Sequence, residues 1–256
     1  MKSEAIITLE HYLRNESNTV RFFGSDFGVN MFSDFLQNGE TIGGDAPDMV
    51  LLKGNTAIVV EHFEFDSSYT NKKGSSSRIE QARVEREQRQ KLATLDSGVY
   101  HGTIKAQFSY QNLIENVEKS FLHHYDQIDT YKQNLIQRNI VTSDTHVKIM
   151  FMVSDVSPIG CIAIDNTTGR PKTIPVTLAQ SPEFLDIVER CKVVDYVLCC
   201  SYACDSEYIW FIDRNDLSSY RENQCNFSNM RFLSNPPHVV IGKVTIPYKR
   251  EGIEES

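Results

Sequence analysis

The chain of 256 residues is 40% hydrophobic and 23% charged and carries a formal net charge of −8, a composition that fits a globular fold with a substantial core. The acidic balance excludes a protein that coats nucleic acid without specificity, because that affinity comes from Lys and Arg neutralising phosphates. No apolar run approaches the roughly 18 residues of a membrane span, and Glu4, Glu10 and Arg14 interrupt the N-terminal segment where a signal peptide needs an apolar stretch. The expectation is one cytoplasmic α/β domain over residues 1 to 256, with no membrane contact.

A helix is expected over roughly residues 4 to 14 and another over 26 to 36, where Phe27, Val29, Met31, Phe32 and Phe35 crowd one side. NGETIGGDAPD is a loop by composition, with Pro47 restricting φ just ahead of an apolar run. MVLL and TAIVVEHFEF read as two strands joined through Lys53, Gly54 and Asn55, a hairpin pattern. Past Asp66, SSYTNKKGSSS is too rich in Ser, Gly and Lys to pack and reads as a mobile surface loop. Ser77 and Glu80 form a capping box that opens a helix to about Leu92. Residues 98 to 108 supply a short strand or an irregular loop.

A single long helix is expected over about 112 to 137, with Leu113, Val117, Phe121, Tyr125, Ile128 and Leu135 recurring every three or four residues. Strands are expected at 147 to 153, 161 to 164, 193 to 200, 208 to 212 and 238 to 246. Ser181 and Pro182 have the N-cap and first-turn chemistry of a helix ending near Cys191. With no internal repeat and no linker, this alternation predicts a mixed central β-sheet flanked by helices.

Two acidic residues stand out by position. Asp48 opens the first strand of the hairpin and Glu61 follows thirteen residues later in the second. Neighbouring strands sit about 4.8 Å apart, so their carboxylates can share one cation. Along the second strand Glu61, Phe63 and Phe65 point to one face and His62, Glu64 and Asp66 to the other. The second set marks either a metal-binding face or simply a wet one. From Lys72 to Lys91 seven basic residues accompany three acidic ones, which fits a nucleic-acid channel and equally a solvated helix face laced with Glu–Arg pairs. His123 and His124 of the long helix could reach the same site as Asp48 and Glu61, but adjacent helix positions face different directions and surface placement is the preferred reading.

Of the six cysteines, Cys161, Cys191, Cys199 and Cys200 lie in or beside apolar segments and read as buried reduced thiols. Cys200, Cys204 and Cys225 lack the paired spacing of a zinc site. No Gly-rich phosphate loop, Gly-x-Ser-x-Gly elbow or His-Glu-x-x-His helix is present, which removes several enzyme classes.

Pro47 and Asp48, then Glu61, then Gln127 and Tyr131 four residues apart in YDQIDTYKQNL come in a familiar order. Over about residues 26 to 153 the chain resembles nucleases of the PD-(D/E)XK superfamily that carry a RecB-type QxxxY helix. The resemblance implies a restriction-endonuclease-like core, Mg²⁺ or Mn²⁺ held by Asp48 and Glu61, and Gln127 and Tyr131 lining the path of a nucleic acid, DNA ahead of RNA. In such a site carboxylate-held metal neutralises charge at the phosphate and activates a water. Glu10 is a candidate for the helix glutamate that assists metal binding in many relatives. The cluster cysteines of some RecB-type nucleases have no counterpart, since no cysteine precedes Asp48.

The chain departs from the pattern at one place. Two residues after the second carboxylate, where the family has a catalytic lysine, stands Phe63. Three explanations are open. The lysine's role can pass to Lys73 or Lys72 on the following loop, with Lys119 and Lys132 behind them and Arg78 as a further nucleic-acid contact. The face with His62, Glu64 and Asp66 can carry the chemistry instead. Or catalysis is lost and the fold serves as a binding or assembly module. A protein partner or homo-oligomer is compatible with each, and analogy with how the superfamily is used points to mobile-element or anti-phage defence settings.

Overall fold

A computed structural model describes residues 20–24, 26–44, 46–71, 74–92, 102–104, 109–157, 162–165, 168–169, 171–172, 178–203, 206–222, 230–233 and 239–241. The helix expected at 4 to 14, with Glu10, lies outside the described residues, as do Lys72, Lys73, Cys161, Cys204 and Cys225.

Seven strands form one mixed sheet: β1 (Val20–Gly24), β2 (Glu40–Gly43), β3 (Met49–Lys53), β4 (Thr56–Phe65), β5 (His146–Asp155), β6 (Tyr196–Ala203) and β7 (Ser206–Asp213). Their spatial order is β1-β7-β6-β5-β4-β3-β2. β2, β3 and β4 run as an antiparallel meander, β5 lies parallel to β4, and β6 lies parallel to β5. The β3–β4 hairpin turns at Gly54, whose φ of +58° is the left-handed conformation glycine adopts without strain. Placing β5 parallel to β4 requires the chain to cross over a face of the sheet. Helices α2 (Ser76–Leu92), α3 (Tyr110–Tyr125) and α4 (Ile128–Gln137) fall in that crossover.

The sheet separates two apolar layers. On one face Phe32 and Phe35 of helix α1 (Asp26–Asn38) pack over Met49, Leu51, Ile58, Val60, Met150 and Phe211. On the other, α3, α4 and helix α5 (Pro182–Arg190) cover Val59, Phe63, Phe65, Phe151 and Val197 with Phe121, Tyr131, Leu135 and Phe184. Burial on both faces explains why the first half of β4, Ala57 to Val60, is an unbroken apolar run. Ser181 caps α5 as its sequence predicts, its hydroxyl accepting from the Phe184 amide at 3.1 Å. Among the described residues no helix is long and apolar enough to cross a membrane.

Several expectations are corrected. β1, parallel to β7, was not anticipated. The single long helix is two, broken at Asp126 and Gln127. There the amides of both residues bond back to the His124 carbonyl, a tightened turn that closes α3 before α4 begins. SSYTNKKGSSS packs in part. Ser67 and Ser68 are buried, and Thr70–Asn71 pairs with Gly74–Ser75, because these polar groups satisfy one another around Asp66. Helix α2 starts at Ser76, with the Ser75 hydroxyl accepting from the Arg78 amide at 3.4 Å. Ser77 sits buried in the first turn and is not the cap. Not corrected is the segment 98 to 108, where the expected short strand forms at Gly102–Ile104 and pairs with Val239–Ile241.

Candidate active site

Asp48 and Glu61 come together through the register of the hairpin. Met49 pairs with Val60, so one further step sets Asp48 opposite Glu61. The Asp48 amide donates to Glu61 Oε2 at 3.3 Å, and the His62 amide donates to Asp48 Oδ2 at 2.8 Å. Burial pushes the Asp48 carboxyl above its ordinary range, and the charge of Glu61 pushes in the same direction.

Glu61 is only 8% exposed, and a buried carboxylate needs donors. The crossover helices supply them. The Tyr131 hydroxyl donates to Glu61 Oε1 at 2.9 Å, and His124 Nδ1 bonds the same oxygen at 3.0 Å. Tyr131 and His124 lie seven residues apart, and their polar atoms are 3.3 Å from each other. Burial, with Glu61 adjacent, holds the Tyr131 hydroxyl firmly protonated, so it remains a donor.

Phe63, two residues after Glu61, is packed in a specific way. Its ring stacks on that of His124, with centroids 4.7 Å apart and planes 7° from parallel. Phe121 and Phe151 close on it edge-first at 6.0 and 5.7 Å. Phenylalanine here builds a wall against which the histidine is fixed. The sequence reading of His124 as a surface residue is therefore corrected. Its neighbour His123 is exposed, as expected. The missed signal was the seven-residue spacing of His124 and Tyr131, which lie on either side of the turn between α3 and α4 and meet at one acid.

The other expected residues divide. Gln127 stands in the turn between α3 and α4 as the N-cap of α4, its carbonyl accepting from the Tyr131 amide at 3.0 Å. Tyr131 itself is 5% exposed, and its hydroxyl is directed at Glu61. Arg78 pairs with Glu64 at 3.2 Å. Farther along α2, Arg83 bonds Glu80 at 2.9 Å and Glu87 at 2.6 Å, and Arg89 faces Glu85. That part of the basic strip is a lattice of intrahelical pairs.

The second explanation for Phe63 fails on geometry, because His62, Glu64 and Asp66 do not converge. His62 Nε2 meets the Ser154 hydroxyl at 3.0 Å, and burial holds its ring below the ordinary histidine range. Glu64 is exposed, and Asp66 is enclosed by Ser68 and Ser75. Cys191 and Cys199 are buried, and burial pushes the Cys191 thiol up to about 11, as expected of inert thiols.

Among the described residues no group of three or more His, Cys, Asp or Glu side chains forms a metal cage. Mg²⁺ does not need one: one or two carboxylates commonly hold it, with water and substrate phosphate completing the shell. The Asp48 carboxyl, raised by burial and by the adjacent Glu61, is donor chemistry that a hard cation relieves. Comparison of the chain with known protein families, curated proteins and solved structures finds no match.

Proposed function

We propose that this chain is a divergent metal-dependent nuclease that hydrolyses phosphodiester bonds of nucleic acid, DNA ahead of RNA. The observation that carries the reading is the bond from the Tyr131 hydroxyl to Glu61, made across 70 residues of sequence. The sequence pattern pairs a carboxylate hairpin with a QxxxY segment, and a tyrosine of that segment on the second carboxylate supports treating the pattern as one unit.

Asp48 and Glu61 are the residues that would hold Mg²⁺ or Mn²⁺, which when bound supplies charge neutralisation at the phosphate and an acidified water. The chain's own groups set up that pair. Tyr131 and His124 hold Glu61 Oε1, leaving Oε2 turned to the Asp48 side. Phe63 holds His124. With Phe63 packed in the core, any ammonium that assists must come from elsewhere, with Lys73, Lys72 and Lys119 as the candidates.

Cleavage of plasmid and linear DNA, and of RNA, in Mn²⁺ or Mg²⁺ tests this. Asp48→Ala and Glu61→Ala should each abolish divalent-dependent hydrolysis while far-ultraviolet circular dichroism stays native. Hydrolysis that survives both substitutions would remove the reading. A second reading, a binding module without hydrolysis, is favoured by the engagement of both Glu61 oxygens and by buried Phe63. It predicts nucleic-acid binding with no metal-dependent product from the wild type.

A further inference from the structure

At the end of β4 the molecule opens into a cleft of about 530 Å³ between α2 and α3, a volume in the range of ligand sites. Its walls are built. Asn116 of α3 donates to the carbonyls of Asp66 and Ser68 at 2.7 and 2.8 Å, tying the loop after β4 to the helix. The Ser68 and Ser75 hydroxyls bond at 2.8 Å.

Glu64, Asp66, Arg78, Lys119, His123 and His124 contribute the charge and the titratable groups. Both acids are already engaged. Asp66 is 4% exposed and accepts from the Ser68 amide and hydroxyl at 2.9 and 2.6 Å and from the Ser75 hydroxyl. Glu64 pairs with Arg78 at 3.2 Å with both side chains about half in solvent, and such a pair is weak and exchanges readily for a phosphate. Lys119 and His123 lie four residues apart on one face of α3, and Lys119 makes no ion pair among the described residues. The cleft therefore offers Lys119 directly and Arg78 by exchange from Glu64, while Asp66 stays occupied by its serines. His124 lies in its lining and also bonds Glu61 at 3.0 Å, so this histidine stands between the cleft and the acid pair.

We propose that this cleft binds the sugar–phosphate backbone of a single strand of nucleic acid, with Lys119 and Arg78 on the phosphates and His124 at the end nearest Asp48 and Glu61. The strand's direction toward the acid pair rests on the nuclease reading; the binding itself does not.

The test is fluorescence anisotropy with a labelled single-stranded oligonucleotide and no divalent metal, in an Asp48→Ala parent. Adding Lys119→Glu should weaken binding about ten-fold, and Lys119→Ala should make the salt dependence shallower by about 0.7 in log–log slope. Arg89→Glu, the same charge change away from the cleft, should leave affinity within about two-fold. No binding by the parent overturns the proposal, as does an equal loss in Lys119→Glu and Arg89→Glu. Separately, in the wild-type background, Lys119→Glu should raise KM. If Asp48→Ala abolishes cleavage while Lys119→Glu keeps parental affinity and KM, the cleft assignment falls and the nuclease reading stands. If no cleavage is found but Lys119→Glu weakens binding selectively, the nuclease reading falls and the cleft stands.

Discussion

Glu61 is an acid that the fold holds at three points: Tyr131, His124 and the Asp48 amide. Hydrogen bonds to charged acceptors contribute more than neutral ones, about 1.5 to 3 kcal/mol. Tyr131→Phe keeps the packing of the ring and removes only the hydroxyl, so stability measured by urea unfolding should fall by about 1.5 kcal/mol, and cleavage should slow through kcat with KM little changed. An unchanged urea midpoint would show that the bond to Glu61 contributes nothing. At this scale chain order singled out residues that the structure brings together, Asp48, Glu61 and Tyr131. His124 escaped because two adjacent histidines offer no local sign of which one faces inward. That choice is made by the Phe63 ring, 61 positions earlier in the sequence.

Between elements, contacts decide what periodicity cannot. Apolar spacing ran smoothly through residues 112 to 137, and no Gly or Pro in YDQIDTY marks the break at Asp126 and Gln127. Helix α1 shows a contact of the same hidden kind. It crosses the sheet with Gly28 over Phe211 of β7, where an added Cβ would come within 2.2 Å of the ring. In an exposed helix interior Gly→Ala would stabilise. Here Gly28→Ala should destabilise by about 1 to 3 kcal/mol through overpacking, read as a lower urea midpoint with an unchanged slope. A gain in stability would mean that α1 moves freely on the sheet. The serine-rich loop teaches the same point, since polar composition predicted solvent and Asp66 supplied an interior partner.

For the whole molecule, the ends of the parallel strands β4 and β5 gather acid groups. Phe65 is in register with Asp155, which accepts from the Ser157 amide and hydroxyl at 2.9 and 2.5 Å. Burial, with Asp66 nearby, raises the Asp155 carboxyl above its ordinary 3.8. A raised folded value means the native state binds that proton more tightly than the unfolded chain. The resulting stabilisation is full below pH 3.8 and is lost as pH rises through the folded value. At neutral pH the ionised Asp155 therefore costs stability. Asp155→Asn, whose carbonyl can still accept from Ser157, should be more stable than wild type near neutral pH. Urea midpoints at pH 7 and pH 4 should show that advantage shrinking on acidification, and a gap that widens would reverse the assignment.

The sequence by itself determined the α/β character, the β3–β4 hairpin and the acids it carries, the serine cap of α5, and the candidate chemistry. These follow from local rules: side-chain alternation, turn glycines, capping hydroxyls and the order of charged groups. Only the tertiary structure decided that Tyr131 and His124 meet at Glu61, that Phe63 stands behind the histidine, and that α2 and α3 enclose a cleft beside the acid pair. Those outcomes depend on contacts between residues tens of positions apart. The free energy of burying each group is set by what surrounds it in space, and a linear pattern does not carry that information.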